Sequence, residues 1–373
     1  MAAGEGPADA GQERMKCAEA AVPRRKEGVV TVAVLGEFDE VIDARSPAEF
    51  AEDHVPGAIN LPVLDDEQRA RVGTLHNQVS AFEAKKLGAA MVARNIAQHL
   101  DSYLAETPRN YRPLVYCWRG GSRSGSFTTI LRAVGWSAAQ LEGGYKAYRR
   151  HVIAQLEQLP QDLRFRVICG PTGVGKSRFL RALREYGAQV LDLEELAAHM
   201  GSVLGAYPDR PQPSQKYFET LVWAQLRSFT PARPVFVESE SKKIGNLQTP
   251  DALLQRMRES ACINLIADIP VRVALLKEEY AHFLADPAAL GRQLDCLAQV
   301  QGKERVNAWK SQGETGQWDE LVADLLLRHY DPAYSRSLGR NYAHAPQSAT
   351  LSLHDHRPES FLELARQVAS WET

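Results

Sequence analysis

A cysteine at the start of a glycine-containing loop is the residue of this sequence best suited to covalent chemistry. Cys117 follows an apolar stretch and precedes Gly120 and Gly121, and Arg123 stands six positions after it. Glycines allow successive backbone N–H groups to turn inward without a Cβ clash, and such a nest binds an anion. The guanidinium of Arg123 adds a forked donor suited to a tetrahedral oxyanion. The pattern therefore predicts a reactive thiolate in an anion-binding loop.

The other polar residues of this loop could take part in the same site, because Arg119 offers a second cation and two serines offer hydroxyl groups. The predicted catalytic residues are Cys117, Arg119 and Arg123, and the predicted phosphate-binding loop consists of Gly120, Gly121, Ser122 and Ser124. The alternative is a cysteine that is buried for packing alone before a surface turn.

A second anion-binding pattern lies further along the chain. Residues 170–177 read Gly-Pro-Thr-Gly-Val-Gly-Lys-Ser, which is a full match to the P-loop pattern G-x-x-x-x-G-K-S/T. An apolar strand precedes this run and a stretch with helical spacing follows it, which is the context that a P-loop requires. Backbone N–H groups at the helix start and the lysine would then face a diphosphate. The predicted diphosphate-binding residues are Gly170, Gly173, Gly175, Lys176 and Ser177.

Two further strands of the same region are predicted to end in carboxylates. Asp192 follows an apolar pair, and Glu238 ends the stretch 234–238. Ser177 together with Asp192 or Glu238 could position Mg²⁺. Plain acids at strand ends are the alternative. The P-loop pattern indicates a phosphate chain and not the group attached to it, so it leaves open whether ATP binds.

Composition and charge limit the class of protein. The chain has 373 residues, of which 44% are hydrophobic and 24% charged, and this is typical of a soluble globular protein with two domains. The five cysteines show neither a C-x-x-C pair nor zinc-ligand spacing, so we expect reduced thiols rather than a disulfide scaffold. We find no transmembrane-length apolar run and no signal peptide. We therefore expect a cytoplasmic protein with no membrane partner.

A net charge of −2 argues against a uniformly basic nucleic-acid binder, because Lys and Arg contacts to phosphates supply most of such affinity. Any RNA site must therefore be a local patch. The candidates, for which ordinary solvent-facing charge is the alternative, are Arg178, Arg181 and Arg184 after the P-loop, together with Lys242 and Lys243.

The residues upstream of the cysteine resemble a known signature. Residues 41–50 and 54–62 are similar to the pattern D-x-R-x-x-x-E-F/Y followed by H-I/V-x-G-A-x-N/H-I/L-P of rhodanese domains, and residues 141–145 resemble the segment that closes such a domain. The resemblance covers about residues 29–150. Common sulfurtransferases have four residues between the cysteine and the arginine, whereas this loop has five. The longer loop resembles that of rhodanese-fold phosphatases and should admit a phosphate-sized group.

The combination of the two domains resembles one family. A rhodanese domain joined through a helix to a P-loop domain is similar to the tRNA 2-selenouridine synthases over nearly the whole chain after residue 28. The stretches that carry this resemblance are residues 116–121, 170–177, 192–194, 201–202, 212–215, 238–241, 244–245 and 329–334.

The resemblance implies a transferase that replaces sulfur by selenium in 2-thiouridine at the wobble position 34 of tRNA. It implies selenophosphate as the selenium donor, an S-geranyl-2-thiouridine intermediate made from geranyl diphosphate, and a functional link to the enzyme that produces selenophosphate. Two other classes remain open: a rhodanese-fold phosphatase, and a regulatory module in which the P-loop is a nucleotide-gated switch.

The predicted fold is α/β, with an N-terminal rhodanese-like domain and a P-loop NTPase-like parallel-sheet domain that carries a helical C-terminal extension. We expect a disordered tail over 1–28, the rhodanese-like domain over 29–145, a helical linker over 146–163 and the P-loop domain over 164–373. Helical patterns in the last region cover 271–284, 288–309 and 318–329.

Overall fold

The computed structural model of the protein describes residues 28–342 and 348–369. Two five-stranded sheets, each with all of its strands parallel, follow one another along the chain, and helices cover both. This confirms the predicted α/β class. The tail that we expect to be disordered lies outside the described residues, apart from Gly28.

The first sheet and its helices are built from residues 29–162. Its strands are β1 (Val29–Val30), β2 (Glu40–Asp43), β3 (Ile59–Asn60), β4 (Pro113–Tyr116) and β5 (Ala139–Leu141). The helices are α1 (Pro47–Glu52), α2 (Asp66–Gln78), α3 (Ala81–Asp101), α4 (Ser122–Val134) and α5 (Gly144–Asp162), and a 3₁₀ helix covers Val32–Glu37.

Strand β4 lies at the centre of the first sheet, in the order β1-β5-β4-β2-β3. All four of its residues are buried, as expected for an apolar strand with helices on both faces. The chain leaves β4 at Cys117 and enters α4 at Ser122. The cysteine loop therefore lies at the carboxyl edge of a parallel sheet, where ligands of α/β folds bind.

The second sheet begins with β6 (Phe165–Cys169). Its other strands are β7 (Gln189–Leu191), β8 (Val235–Glu238), β11 (Ala261–Ala267) and β12 (Ala349–Leu353), and a separate antiparallel pair consists of β9 (Lys243–Ile244) and β10 (Leu247–Gln248). The first helices of this part are α6 (Lys176–Glu185), α7 (Leu193–Leu196), α8 (Gln215–Ser228) and α9 (Asp251–Arg258).

The region after β11 is mainly helical, as predicted. It contains α10 (Ile269–Glu279), α11 (Ala281–Ala285), α12 (Pro287–Leu294), α13 (Ala298–Gln301), α14 (Lys303–Glu314), α15 (Trp318–Leu325), α16 (Asp331–Asn341) and α17 (Pro358–Ala369), with a 3₁₀ turn at Asp295–Leu297 and a π-helix at Leu326–Tyr330. The helix predicted over 288–309 is interrupted at Gly302, whose φ of +84° a helix cannot contain. No helix in the described ranges is both long and apolar enough to cross a membrane.

The second sheet has the order β12-β11-β6-β8-β7, so the P-loop follows its central strand. Helix α5 packs against both halves of the chain. Its residues Tyr148 and Val152 are fully buried in one apolar cluster that also contains Leu114 of the first sheet and Phe165 of the second. The two sheets therefore share a core, and the exact domain boundaries stay a prediction.

Candidate functional site

The cysteine loop is closed by side chains that surround the thiol. Cys117 is buried, and the Ser124 hydroxyl lies 3.1 Å from its Sγ and donates to it. The side chain of Gln140 donates from Nε2 to Ser124 Oγ at 2.9 Å and to the carbonyl of Gly120 at 2.7 Å. The serine hydroxyl is therefore oriented toward the sulfur.

Two glycines allow the loop to lie directly against the start of α5. Gly120 and Gly144 have φ values of +64° and +56°. A Cβ on Gly144 would stand 2.1 Å from the carbonyl oxygen of Cys117 and 2.4 Å from the Gly120 nitrogen. The backbone N–H of Tyr145 donates to the Cys117 carbonyl at 2.8 Å. The segment 141–145 thus packs against the backbone of the cysteine loop and fixes its shape.

The two arginines of the loop have different surroundings. Arg123 donates to the carboxylate of Glu49 at 2.7 Å, whereas Arg119 is exposed and forms no ion pair with any described residue. Burial raises the pKa of Glu49, but the hydrogen bond and charge of Arg123 outweigh it and hold that pKa below its usual value. Arg123 is thus already engaged by a carboxylate, which an incoming anion would share or displace, and its role as anion clamp stays a prediction.

The D-x-R residues of the rhodanese signature have a structural role. Asp43 and Arg45 form a buried ion pair at 2.6 Å, and Arg45 also donates to the Asp53 carbonyl at 2.6 Å. The guanidinium lies 4.0 Å from the centre of the Tyr145 ring, which follows the two glycines of the closing segment. This pair therefore positions α5 against the cysteine loop rather than facing a substrate.

The P-loop joins β6 to α6 in the expected conformation. Gly173 and Gly175 have φ values of +79° and +82°, and α6 begins directly after Gly175. Lys176 donates from Nζ to the carbonyl of Gly170 at 3.0 Å. The backbone conformation and the helix start are those of a diphosphate-binding nest. The binding itself stays a prediction.

The acid that contacts Ser177 is Glu194, which was not among the predicted site residues. Ser177 Oγ donates to Glu194 at 2.6 Å. Asp192 instead caps α7 by accepting from the Glu195 N–H, and Glu238 accepts from the Glu194 N–H at 2.9 Å. A role of Asp192 or Glu238, together with Ser177, in positioning Mg²⁺ stays a prediction, although Ser177 contacts Glu194 and neither of those two carboxylates. The reason for this contact is that α7 starts at the end of β7 and turns its own carboxylate toward the P-loop.

Four carboxyl groups are crowded beside the P-loop. Burial, followed by the charges of the neighbouring acids, raises the pKa of Glu238 and Glu240 well above the usual value. Burial likewise raises the pKa of Asp192 and Glu194, although Lys176 opposes this at Glu194. Among the described residues, no group of His, Cys, Asp and Glu is arranged to hold a metal ion. Mg²⁺ stays a prediction.

Two adjoining cavities lie at the P-loop. A polar cleft of about 620 Å³ is lined by Lys176, Ser177, Glu194 and Arg181, among others. Beside it lies a smaller cavity of about 60 Å³, whose surface is almost entirely apolar. The two share Thr172, Ser202, Leu276, Tyr280 and Tyr330 as lining residues. The apolar cavity is completed by α15 and by the π-helix, a distortion that is frequent at functional sites.

The predicted RNA-binding residues do not form one free patch. Arg178 is paired with Glu278 at 2.8 Å and Glu279 at 3.3 Å. Lys242 is paired with Asp251, and Lys243 lies exposed on the small antiparallel pair. The exposed Arg181 and Arg184 line the polar cleft. These residues stay candidates, but the charge of Arg178 is already balanced within the protein.

A third cavity lies beside the cysteine loop. It has a volume of about 490 Å³, and we call it the basic cavity because five of its lining residues are cations. It is lined by Trp118, Arg119, Gly143, Tyr145, Lys146, Arg149, Arg150 and Lys216. Most of these residues were not predicted from the sequence, because the cavity combines the loop with separate helices, α5 and α8.

Comparison with known proteins agrees with this architecture. A rhodanese-like domain model matches residues 31–151, and a model for the tRNA 2-selenouridine synthase AAA domain matches residues 163–299. A tRNA 2-selenouridine synthase of Nitrosomonas europaea is 37% identical over 244 residues, which cover 64% of this chain and 63% of that protein, less than two thirds of its length.

Two further relatives are covered more completely. The tRNA 2-selenouridine synthase of Aeromonas salmonicida is 32% identical over 334 residues, or 80% of this chain and 87% of that protein. That of Shewanella halifaxensis is 30% identical over 329 residues, or 80% and 89%. Both matches include the two domains, so the predicted resemblance is confirmed. The chain belongs to the tRNA 2-selenouridine synthase family.

Proposed function

We propose that this protein replaces sulfur by selenium in wobble-position 2-thiouridine of tRNA, with selenophosphate as selenium donor and S-geranyl-2-thiouridine as intermediate. The observation that supports the proposal best is the presence of two separate glycine-containing loops, each at the carboxyl end of a central parallel strand. One site contains a buried thiol and the other a diphosphate loop. Each of the two donors carries a phosphoryl or diphosphoryl group, so each has a site of matching charge.

The P-loop is the proposed site of the prenyl donor. In the first step a sulfur lone pair of 2-thiouridine attacks carbon 1 of the geranyl group, the carbon–oxygen bond breaks, diphosphate leaves, and the base loses its N3 proton to solvent. Lys176 and the loop amides would stabilise the negative charge that develops on the departing oxygens. Alkylation prepares the base for selenium because a thioether sulfur leaves far more readily than a thiocarbonyl sulfur.

The apolar cavity beside the P-loop favours a hydrocarbon tail over a nucleoside. Its walls are almost entirely apolar, whereas a ribose and base would need several polar partners. The volume that the centres of water molecules can occupy in this cavity is about 60 Å³. Because one water needs roughly 10–15 Å³ of such space, the cavity could hold roughly four to six waters. Four to six waters take up about as much space as the distal isoprene unit of a geranyl chain. The first isoprene unit would then lie in the polar cleft.

The cysteine loop is the proposed site of selenophosphate. We infer that the Cys117 thiolate attacks phosphorus, so that a sulfur–phosphorus bond forms, the phosphorus–selenium bond breaks, and selenium leaves as hydrogen selenide anion. Water then hydrolyses the phosphocysteine to phosphate and thiol. Selenium keeps its oxidation state throughout, whereas an intermediate with a sulfur–selenium bond on Cys117 would require a two-electron oxidant to form and a two-electron reductant to release selenide.

The released selenide completes the exchange. It attacks carbon 2 of the alkylated base, the carbon–selenium bond forms, and geranylthiolate leaves and takes up a proton.

The seven-residue cysteine loop suits the cleavage of selenophosphate, since loops with five residues between cysteine and arginine accept a phosphoryl group. Arg119 and Arg123 would hold its equatorial oxygens, with Arg123 released from Glu49 as the anion binds.

The test is mass spectrometry of nucleosides from a 2-thiouridine tRNA incubated with the protein and each donor in turn. We expect geranyl diphosphate alone to give S-geranyl-2-thiouridine, both donors to give 2-selenouridine, and selenophosphate alone to give no new nucleoside. Release of phosphate from aryl phosphates with no change in the RNA would instead identify a phosphatase and refute the proposal.

A further inference from the structure

The basic cavity beside the cysteine loop has the dimensions of a ligand site. Its volume of about 490 Å³ lies within the range of roughly 300–1,000 Å³ that is common for small-molecule sites. Trp118 and Arg119 belong both to the cysteine loop and to the wall of this cavity. Lys216, from α8, also lines it. Anything that fills the cavity therefore contacts the cysteine loop.

The positive charge of this cavity is only partly balanced. Arg149 is paired with Glu219 and, at 3.9 Å, with Asp53, while Lys216 is paired with Glu52 at 2.6 Å. The three remaining cations, Arg119, Lys146 and Arg150, form no ion pair with any residue that the structure describes.

The spacing of two of these cations strengthens the point. Lys146 and Arg150 are exposed and lie four positions apart on α5, so they share one face of that helix. Like charges at this spacing destabilise a helix slightly, and no acid in the part of the chain that the structure describes forms an ion pair with either cation. An anionic partner from outside would offset their repulsion.

An aromatic surface accompanies the charge. Trp118 stacks on Tyr145 with ring centres 5.2 Å apart and an angle of 26° between the rings. Tyr145 is itself fixed, because its hydroxyl donates to Asp53 at 2.8 Å and Arg45 lies over its ring. Trp118 is only half-buried and lines the cavity. It therefore offers a flat and well-supported surface on which an unpaired base could stack.

We propose that the basic cavity binds the single-stranded RNA loop that carries the reacting uridine. In this arrangement Lys146 and Arg150 contact backbone phosphates, and one base stacks on Trp118. Aromatic stacking next to cations is the usual mode of binding for unpaired nucleotides, whereas duplex RNA is bound by shape across its grooves. The inference rests on the proposed function, since it places the substrate of that reaction beside the cysteine loop.

The experiment measures binding of an anticodon stem-loop RNA with 2-thiouridine in its loop, by fluorescence anisotropy over a range of salt concentrations. The variants are Lys146→Ala, Arg150→Ala and their double mutant, and the matched control is Lys85→Ala, an exposed lysine on α3. We expect Lys146→Ala and Arg150→Ala each to make the fall of log affinity with log salt less steep by roughly 0.7, the value for one single-strand phosphate contact. The control should leave the slope unchanged.

A second variant tests the aromatic surface. Trp118→Phe should retain most of the affinity, whereas Trp118→Leu should lose roughly 5- to 150-fold, which corresponds to one base stack. An unchanged slope in the Lys146 and Arg150 variants, with normal binding by the parent protein, would overturn this inference alone. A salt dependence that becomes less steep in Arg181→Ala or Lys242→Ala instead would overturn it and place the RNA beside the P-loop. Failure of the parent protein to bind the RNA at all would refute the proposed function as well.

Discussion

Replacement of Lys176 by alanine distinguishes the reaction proposed for the P-loop from the reaction proposed for the cysteine loop. The lysine ammonium lies 3.0 Å from the Gly170 carbonyl, at the centre of the P-loop. One charge-assisted hydrogen bond contributes roughly 1.5–3 kcal/mol, so its loss should weaken binding of geranyl diphosphate roughly 10- to 150-fold. The rate of geranylation should fall further, by roughly 10²- to 10³-fold, because the same charge stabilises the departing diphosphate.

The assay compares two RNA substrates. Calorimetry gives the affinity for geranyl diphosphate, and nucleoside mass spectrometry gives the rates on 2-thiouridine RNA and on RNA that is already geranylated. Lys176→Ala should lose the first reaction and retain selenium incorporation into the second RNA, which needs only the Cys117 loop. Lys86→Ala, an exposed lysine on α3, serves as the control. Equal loss of both reactions in Lys176→Ala, together with the same loss in the parent protein when ATP is left out, would refute the assignment of the two steps to two sites. It would identify the P-loop as a nucleotide switch.

Four other predictions follow from the same geometry. Cys117→Ser should accumulate S-geranyl-2-thiouridine and fail to form radiolabelled phosphocysteine from selenophosphate, and selenation at the parent rate would exclude the assigned role. Gly144→Ala should lower the free energy of unfolding by roughly 1–3 kcal/mol or more in denaturant titration, because its Cβ would stand 2.1 Å from the Cys117 carbonyl oxygen. Leu325→Trp fills the apolar cavity and should slow transfer from geranyl diphosphate more than transfer from the five-carbon dimethylallyl diphosphate; equal slowing would place the chain elsewhere. Burial and the charge of Glu194 raise the folded-state pKa of Glu240 above its ordinary 4.5, so the folded protein binds that proton more tightly and loses stability as pH rises from about that value through the raised pKa. Thermal unfolding of Glu240→Gln should therefore show a weaker loss of stability over that pH range than the parent protein.

The sequence predicted those parts of the site that depend on neighbours along the chain. The P-loop residues and the run around Cys117 are local patterns, because a glycine conformation or a helix start is decided within a few positions. Contacts across the chain were not predictable in this way. Glu49 meets Arg123 from 74 positions away, and Glu194 meets Ser177 only because α7 turns back toward the P-loop.

The second sheet shows the same limit. Strand β12 (Ala349–Leu353) was not predicted, although two of its alternate residues, Leu351 and Leu353, are buried. A five-residue alternation after a long helical region is a weak signal, and its pairing partner β11 lies far upstream. The basic cavity was missed for a related reason, since Lys146, Arg150 and Lys216 acquire a common meaning only when α5 and α8 pack beside the cysteine loop.

The central claim is that selenium enters through an alkylated intermediate, and a single-turnover time course tests it most directly. Excess protein is mixed with 2-thiouridine tRNA and both donors, and the nucleosides are quantified by mass spectrometry at successive times. We expect S-geranyl-2-thiouridine to rise first and then to decay at the rate at which 2-selenouridine appears. Formation of 2-selenouridine at full rate without this intermediate, or in the absence of geranyl diphosphate, would contradict the account.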